Sequence, residues 1–363
     1  MPPLKITVSC PIHESFRVKQ VGGLFDVPLE QRMRESFCVE VPELAGDWQI
    51  GLIVGPSGSG KSTIARQLFQ KSLVTGSDWP REKAVIDAFP QELSIREITG
   101  LLTSVGFSSP PSWIKPYHVL SNGERFRCDL ALALSRGKNG DIVAFDEFTS
   151  VVDRNVARVA SAAIAKGIRA GQIKRRFVAV TCHYDVMEWL EPQWVIDMAS
   201  STLSRRCLRR PGIQLEIVRC ERPAWRLFAR HHYLTGKLAP GCRMYMALWN
   251  REPVTFCAIL PVVCKKGHWR FSRVVTLPDY QGIGIGMRVT EAISEMYVRD
   301  RQRINITGSH PAVIAHCRKS PLWKTVNVSA AKSRAKHSPV SGYRSADGRV
   351  VVSFEYVGAA SDE

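Results

Sequence analysis

The stretch Gln49–Ser62, with the sequence QIGLIVGPSGSGKS, decides the fold of the first half of the chain. Its first six residues are mostly apolar and predict a buried β-strand. The segment Gly55–Ser62 matches the pattern G-x-x-x-x-G-K-[ST], and a helix is predicted from Ser62 to about Lys71. A strand, a glycine-rich turn and a helix in this order direct backbone N–H groups and the positive end of a helix dipole toward a phosphate group.

The pattern assigns individual residues to a nucleoside triphosphate. Lys61 is expected to reach the β- and γ-phosphates, and Ser62 is expected to hold Mg²⁺. A structural glycine-rich turn is the alternative interpretation, and the strand and helix on either side of the loop disfavour it. The predicted phosphate cradle consists of Gly55, Ser57, Gly58, Gly60, Lys61, Ser62 and Thr63.

Beyond this loop, apolar runs alternate with helical patterns. Ile142–Phe145 and Phe177–Thr181 predict two further buried strands, with a helix over Asn155–Ala170 between them. Such an alternation predicts an α/β fold with a largely parallel sheet. Asp146 and Glu147 follow the first of these strands. An Asp there can hold Mg²⁺, and the adjacent Glu can polarise the water that attacks a γ-phosphate.

Five motifs in sequence order resemble those of ABC-type ATPases, over about residues 5–200. The signature motif has Asn122 where the family has Gly, which predicts a less flexible signature loop and slower ATP hydrolysis. The motifs are the P-loop at Gly55–Ser62, Gln91 after Phe89-Pro90 as a Q-loop glutamine, LSNGE at Leu120–Glu124 as the signature, DEFTSVVD at Asp146–Asp153 as the Walker B and D-loop run, and His183 as the switch histidine.

This resemblance implies a homodimer that closes on ATP, with the P-loop of one copy facing the signature motif of the other. The helical subdomain between Gln91 and Ser121 is short. In this respect the chain resembles soluble ABC proteins more than transporters, and many soluble members act on nucleic acid. The implied nucleotide-binding residues are the cradle with Gln91, Ser121, Gly123 and Asp153; the implied Mg²⁺ ligands are Ser62, Gln91 and Asp146; the implied catalytic residues are Glu147 and His183.

The second half of the chain predicts a mixed α+β domain of about 150 residues. A polar, basic stretch at Ser329–Gly348 is expected to be a long loop. The predicted strands are Ile213–Val218, Met244–Trp249, Val254–Leu260, Trp269–Leu277, Arg303–Thr307 and Arg349–Tyr356, and the predicted helices are Gly284–Arg299 and Pro311–Cys317.

The segment Arg273–Gly286, RVVTLPDYQGIGIG, joins one of these strands to a helix through a glycine-rich loop that favours a pyrophosphate. It resembles the acetyl-CoA motif Q/R-x-x-G-x-G of GNAT-type acetyltransferases, over about residues 213–357. The resemblance implies direct transfer of an acetyl group to an amine, with the backbone N–H of Val275 facing the developing oxyanion. The implied acetyl-CoA-binding residues are Val275, Gln281, Gly282, Gly284 and Gly286.

The Tyr that many relatives carry as the general acid, on the helix after the next strand, is missing from this sequence. His316 is the candidate in that region, and a packed or surface histidine is the alternative. Asp279 and His310 are weaker candidates for the general base. Three functions stay open: an ATP-driven acetyltransferase acting on nucleic acid or a nucleic-acid-bound substrate, a nucleic-acid-binding ATPase with an inactive GNAT-like module, and an acetyltransferase for a protein or small amine.

The 363 residues predict two domains, at 1–204 and 213–363, joined by a basic linker at 205–212. Of the formal net charge of +17, residues 1–199 carry almost none, with 23 Lys and Arg against 22 Asp and Glu, whereas residues 200–363 carry 27 against 11. This asymmetry predicts a nucleic-acid partner for the second domain. Its basic clusters are Arg205, Arg206, Arg209 and Arg210; Lys265, Lys266 and Arg270; Arg299, Arg301 and Arg303; and Lys332, Arg334 and Lys336.

Aromatic residues that could stack bases lie near these clusters at Trp249, Trp269, Trp323 and Tyr343, and core packing is the favoured alternative for each. The ten cysteines form no C-x-x-C pair, and no signal peptide or apolar run of about 18 residues is found. We therefore expect reduced thiols, no membrane span and a cytoplasmic protein.

Overall fold

A computed structural model describes residues 4–11, 13–25, 32–205, 212–232, 237–330 and 350–358. Its strands are β1 (Leu4–Pro11), β2 (Arg32–Val39), β3 (Ile50–Val54), β4 (Leu73–Val74), β5 (Ile142–Phe145), β6 (Arg176–Thr181), β7 (Trp194–Asp197), β8 (Thr202–Arg205), β9 (Glu216–Arg219), β10 (Arg243–Trp249), β11 (Glu252–Pro261), β12 (His268–Thr276), β13 (Arg303–Gly308), β14 (Trp323–Ala330) and β15 (Val350–Tyr356). Its α-helices are α1 (Phe16–Phe25), α2 (Lys61–Phe69), α3 (Ile95–Ser104), α4 (Pro110–Trp113), α5 (Asn122–Ser135), α6 (Arg154–Arg169), α7 (Met187–Leu190), α8 (Trp225–Ala229), α9 (Ile285–Arg299) and α10 (Pro311–Lys319).

The chain divides into two compact units. The first, the parallel-sheet unit, lies within Met1–Ser77, Gly137–Val151 and Lys174–Arg209. The second, the composite unit, lies within Asp78–Arg136, Val152–Ile173 and Arg210–Glu363. Two segments that precede the predicted linker therefore belong to the same compact unit as the C-terminal residues.

The parallel-sheet unit is built on a six-stranded sheet in the order β4-β5-β6-β3-β7-β8. All neighbouring pairs are parallel except β7 with β8. Every residue of β3 is buried, and Ile53 packs in one core with Ile64 of α2 and Val178 of β6. The predicted α/β fold class is confirmed, and each of the three predicted strands lies within one residue of its expected start.

The composite unit contains a seven-stranded sheet in the order β14-β15-β13-β12-β11-β10-β9, in which only the β12–β13 pair is parallel. The predicted strands and helices of the second half are present. The first strand is shorter than expected, at Glu216–Arg219, and β14 was not predicted. β14 is the edge strand of this sheet and pairs with β15. An edge strand tolerates polar residues, so its sequence contains no apolar run that would have predicted it.

The parallel strands β12 and β13 separate along their length. Their ladder covers only three residue pairs, from His268 with Arg303 to Arg270 with Asn305. Beyond these pairs, β12 continues to Thr276 beside β11, and β13 continues to Gly308 beside β15. The carboxyl ends of the two strands are therefore not hydrogen-bonded to each other and leave backbone groups for another partner.

The helical segments of the composite unit begin at well-formed caps. Ser121 and Glu124 make a capping box at the start of α5, in which each side chain accepts the other residue's N–H group. Asp153 caps α6 by accepting hydrogen bonds from the N–H groups of Asn155 and Val156 at 2.9 and 3.1 Å. Along α6, small residues such as Ala157, Ala160 and Ala163 are buried, which permits close approach of neighbouring backbones.

Candidate functional site

The P-loop, Gly55–Ser62, connects β3 to α2 at the carboxyl edge of the parallel sheet. Gly60 precedes the helix with a φ of +82°, a left-handed conformation that a side chain would strain. The Lys61 ammonium folds back over the loop and donates to the carbonyl oxygen of Pro56 at 2.6 Å. The buried hydroxyl of Ser59 has no hydrogen-bond partner among the described residues, so it can donate to a phosphate oxygen.

Ser62 and Asp146 meet at the same edge of the sheet. The Ser62 hydroxyl donates to Asp146 Oδ1 at 3.0 Å, and the carboxylate is buried at 8% exposure. Hydroxyl and carboxylate oxygens are the donors that Mg²⁺ prefers, and the P-loop places phosphate-binding groups beside them. The residues present therefore fit a Mg²⁺–nucleotide complex.

The segment after Asp146 turns sharply. Glu147 and Thr149 adopt left-handed conformations, with φ of +53° and +69°. Glu147 is exposed, and its Oε2 accepts a hydrogen bond from the Ser150 hydroxyl at 2.6 Å. His183 Nδ1 lies 3.4 Å from Thr149 Oγ1, so the predicted base and the predicted switch histidine border the same turn within the parallel-sheet unit.

The other residues that the resemblance assigns to the nucleotide belong to the composite unit. Gln91 is exposed in a turn, and Ser121 is exposed at the start of α5. A Cβ on Gly123 would lie 3.5 Å from the methyl groups of Val156, so α5 and α6 are in contact near their N-termini. The Asp153 carboxylate is engaged in capping α6.

Hydrogen bonding holds the signature segment in one conformation. Burial raises the pKa of Glu124, but hydrogen bonds from the Ser121 N–H and from the hydroxyls of Ser112 and Ser121 outweigh this and keep the pKa below its ordinary value. The charged carboxylate is thus the form that stabilises the start of α5.

The acyl loop, Gln281–Gly286, connects the end of β12 to α9, and Gly284 caps the helix. The Gln281 amide bridges two segments: its oxygen accepts from the Ser108 N–H at 2.8 Å, and its nitrogen donates to the Thr276 carbonyl at 2.9 Å. Gly282 has a φ of +91°, and a Cβ there would lie 2.7 Å from the Cα of Gly106. The acyl loop is therefore packed against the segment that follows α3.

An ion pair with one buried partner lies beside this contact. Arg127 on α5 is fully buried, and its Nη1 lies 3.7 Å from Oδ1 of the half-exposed Asp279. Burial lowers the pKa of Arg127, and the charges of Asp279, Glu124 and Asp153 oppose that shift. Asp279, which the sequence offered as a weak candidate base, thus lies next to a buried cation one turn after the signature motif.

The direction of the backbone at the end of β12 refines the oxyanion assignment. The Leu277 N–H donates to the Val254 carbonyl of β11 at 3.0 Å. Because backbone groups alternate along a strand, the N–H of Val275 also points to β11, and that of Val274 points to the side where β13 separates. The geometry favours Val274 over the predicted Val275 as the N–H donor toward the gap between the strands.

His316 on α10 is paired with a buried acid. Its Nε2 lies 2.7 Å from Glu291 Oε1 on α9, and the same oxygen accepts a hydrogen bond from the Trp323 indole at 3.3 Å. Glu291 is buried at 6% exposure, whereas the His316 side chain is partly exposed. For His310, burial lowers the pKa and a hydrogen bond with the backbone of Ser108 opposes the shift.

Several residues of the acyl-loop environment were not predicted. Arg127 and Glu291 are charged residues on helices with buried faces, and such a placement is the one sequence signal that could have singled them out. Gly106 and Ser108 carry no such signal, because they contact Gln281 and Gly282, which lie more than 170 positions away in sequence.

The basic and aromatic candidates have mixed placements. Lys265, Lys266 and Arg270 are exposed. Arg303 makes a bidentate ion pair with Glu355, at 2.6 and 2.7 Å. Trp249 packs on Tyr280, Trp269 on Tyr297, and Trp323 on Tyr356. Trp323 is buried, whereas Trp249 and Trp269 are half-buried. Arg206, Arg209, Arg210, Lys332, Arg334, Lys336 and Tyr343 lie outside the described residues.

No protein-family model and no curated protein matches the chain, whereas several solved structures do. A bacterial Atm1-family ABC exporter with ATP bound is 18% identical with a TM-score of 0.35, covering 49% of this chain and 35% of that chain. The ATP-binding cassette MJ0796, in a dimeric post-hydrolysis state bound to ADP and phosphate, is 16% identical with a TM-score of 0.36, covering 48% and 93%.

An acetyltransferase structure matches as well. The IAA acetyltransferase from Bacillus cereus is 12% identical with a TM-score of 0.31, covering 39% of this chain and 99% of that chain. Structures of both resembled families thus match parts of the chain, and this chain spans about a third of the exporter. Within the described ranges, no helix is both long enough and apolar enough to span a bilayer.

Proposed function

We propose that the chain hydrolyses ATP in its parallel-sheet unit and transfers an acetyl group from acetyl-CoA to an amine in its composite unit. The observation that carries the first activity is the hydrogen bond between Ser62 and Asp146, with Glu147 directly beside it. The separation of β12 from β13, next to a glycine loop that opens a helix, supports the second activity. The resemblance in sequence points to the same pair of activities.

The nucleotide would be held by the P-loop backbone and Lys61. Mg²⁺ would bind to Ser62 and Asp146 and would supply positive charge against the phosphates. Ser59 offers its buried hydroxyl to a phosphate oxygen. Because the Pro56 carbonyl holds the Lys61 ammonium in this structure, nucleotide binding exchanges that hydrogen bond for contacts to phosphate.

Hydrolysis requires a group that accepts a proton from the attacking water. Two observations support Glu147 in this role: it is exposed, and the Ser150 hydroxyl donates a hydrogen bond to its carboxylate. His183, at the edge of the same turn, would contact the γ-phosphate. We further propose a homodimer in which Ser121 and Gly123 of the partner copy complete the ATP site, with Asp153 near the interface, as the resemblance implies.

Acetyl transfer would occur where β12 and β13 separate. The amine nitrogen attacks the thioester carbonyl, the C–N bond forms, and the C–S bond then breaks. The backbone N–H of Val274 would face the oxyanion, and protonated His316 would give its proton to the leaving thiolate. The proton lost by the amine passes to solvent. The Glu291 carboxylate, 2.7 Å from Nε2, would orient the His316 imidazole for this step.

The basic character of the second half supports a nucleic acid as the partner. Lys265, Lys266 and Arg270 form an exposed basic cluster beside β12. Counterion release then predicts that binding of DNA or RNA weakens steeply with salt. A flat salt response between about 50 and 200 mM would contradict this part of the proposal. A reduced, cytoplasmic setting fits the free thiols among the described cysteines.

One experiment tests both activities. The full chain is incubated with radiolabelled acetyl-CoA, ATP and a mixed pool of nucleic acid and protein, and the destination of the label and the release of phosphate are measured. Glu147→Gln is expected to abolish phosphate release and to trap an ATP-bound dimer. A Glu147→Gln protein that stays monomeric in saturating ATP would refute the dimer model.

An ATPase with a GNAT-like binding module that performs no acyl transfer is the second candidate. It is favoured by one observation: the Gln281 amide is already engaged with both Ser108 and Thr276. CoA binding without transfer of label to any acceptor would select this candidate, whereas label on an amine would exclude it.

A further inference from the structure

Lys166 lies in the last turn of α6, the helix that begins at the D-loop residue Asp153. Its ammonium donates to the carbonyl oxygen of Gly282 in the acyl loop at 3.3 Å. The two residues are 116 positions apart in sequence but belong to the same compact unit. A cation from the ATPase-like part of the chain therefore lies at the predicted acetyl-CoA motif.

The position of this ammonium relative to Gly284 is informative. A Cβ built on Gly284 would meet Lys166 Nζ at 3.0 Å and nothing else within 4 Å outside its own helix and chain neighbours. Gly284 caps α9, so its open face lies where backbone N–H groups and the helix dipole favour an anion. The group found beside this glycine is therefore positively charged.

The backbone that carries Lys166 is fixed against the loop. A Cβ on Gly282 would lie 2.9 Å from the Cβ of Ala163, which is one turn before Lys166 on α6. On the other side, the Gln281 amide oxygen accepts from the Ser108 N–H. These contacts set the distance between α6 and the acyl loop, so the lysine side chain starts from a defined place.

We infer that Lys166 binds the diphosphate of acyl-CoA and completes that site from α6. The inference rests on the proposed acetyl-CoA function. A diphosphate at the start of α9 would accept hydrogen bonds from the loop N–H groups, and the Lys166 ammonium would exchange its contact with the Gly282 carbonyl for a phosphate oxygen. The acetyl-CoA site would then be incomplete without a residue of the ATPase-like helix.

An ordinary structural role is the competing explanation, because lysines near helix C-termini commonly contact nearby carbonyl groups. The two roles differ in what they predict. A diphosphate contact predicts a loss of CoA affinity without a loss of stability, whereas a purely structural contact predicts a change in stability and none specific to the ligand.

The test is isothermal titration of the full chain with CoA and with dephospho-CoA, which keeps the diphosphate but lacks the 3′-phosphate. Lys166→Met is expected to weaken binding of both ligands by about tenfold, since a charge-assisted hydrogen bond is lost. Lys166→Arg should restore most of the affinity. Arg169→Met, which removes a positive charge from the same last turn of α6, is the matched control and should bind CoA like the wild type.

The outcomes separate this inference from the proposed function. If the wild type binds CoA and Lys166→Met binds it equally well, the inference is wrong and the acetyl-CoA function stands. If the loss occurs with CoA but not with dephospho-CoA, the lysine contacts the 3′-phosphate and the inference is also wrong. If the wild type binds neither ligand, both the inference and the acetyl-CoA function fail. An unchanged melting temperature in Lys166→Met excludes unfolding as the cause of lost affinity.

Discussion

The P-loop and the acyl loop have the same local design and differ in where their partners come from. Each leaves a strand, turns on glycines and opens a helix at a left-handed glycine, Gly60 with φ +82° and Gly284 with φ +94°. The P-loop carries its own cation, since Lys61 contacts a carbonyl five positions earlier. The acyl loop receives its nearby cation, Lys166, from a helix 116 positions earlier.

This difference explains why the sequence of the P-loop indicates the cation at that loop, whereas the sequence of the acyl loop does not. A motif that contains its own charged residue is complete in sequence, so its chemistry follows from eight consecutive residues. A glycine loop without a charged residue can obtain a nearby charge only from the surface against which it packs. The contacts of Gly282 with Gly106 and Ala163 decide which side chains reach that loop.

The largest effect is expected from removing the cation of the P-loop. Lys61→Ala should reduce ATP binding below detection, because no other described side chain is positioned by the motif to reach the β- and γ-phosphates. Titration with ATP under conditions that show wild-type binding is the measurement. Lys166→Met should bind ATP like the wild type. An equal loss of ATP binding in both variants would contradict the assignment of one lysine to each loop.

The second largest effect is expected on the unfolding free energy, at the contact between the acyl loop and Gly106. Gly282→Ala combines a strained φ of +91° with a Cβ 2.7 Å from the Cα of Gly106 and should cost about 2–4 kcal/mol of unfolding free energy. Gly267→Ala is the control, because Gly267 has a φ of +70° and open space around it. It should cost about 1 kcal/mol. Urea unfolding compares the two, and equal costs would show that the loop contact contributes nothing.

The ion pair beside the acyl loop should contribute less. Asp279→Asn leaves the buried Arg127 without its charged partner and should lower the unfolding free energy by about 1–3 kcal/mol. Asp300→Asn, at an exposed position after α9, is the control and should change stability little. The idea that the acyl loop is anchored by α5 fails if the two variants unfold at the same urea concentration.

The smallest effect concerns the signature segment and depends on pH. The folded-state pKa of Glu124 is depressed, so its stabilisation is complete above the ordinary value of 4.5 and is lost as the pH falls through the lowered folded-state pKa. Glu124→Gln should therefore cost about 1 kcal/mol at neutral pH and progressively less in acid. Thermal melting between neutral and acidic pH measures the difference, with Glu92→Gln in an exposed turn as the control. A cost that does not change with pH would show that the carboxylate charge is not involved.

Sequence patterns were sufficient for elements with strong local signals. The strand before the P-loop, the strand ending at Phe145 and helix α9 follow from apolar runs, periodicity and glycine positions, and each is found near its expected bounds. They were insufficient for β14, whose alternating polar residues suit an edge strand, and for the short helix α8. The resemblance in sequence points to Val275 as the oxyanion donor, whereas our proposal assigns this role to Val274, because the direction of an N–H group depends on which strand lies on each side.

The sequence by itself determined the strand, glycine turn and helix of the P-loop, the position of Asp146 and Glu147 at a strand end, and the presence of a second glycine loop. These features depend on residues close together in the chain, and local conformational preferences are enough to arrange them. Only the tertiary structure decided that Arg127, Ser108 and Lys166 meet the second loop. Such contacts depend on backbone packing between distant segments, where the missing side chains of Gly106 and Gly282 permit an approach that no local pattern encodes.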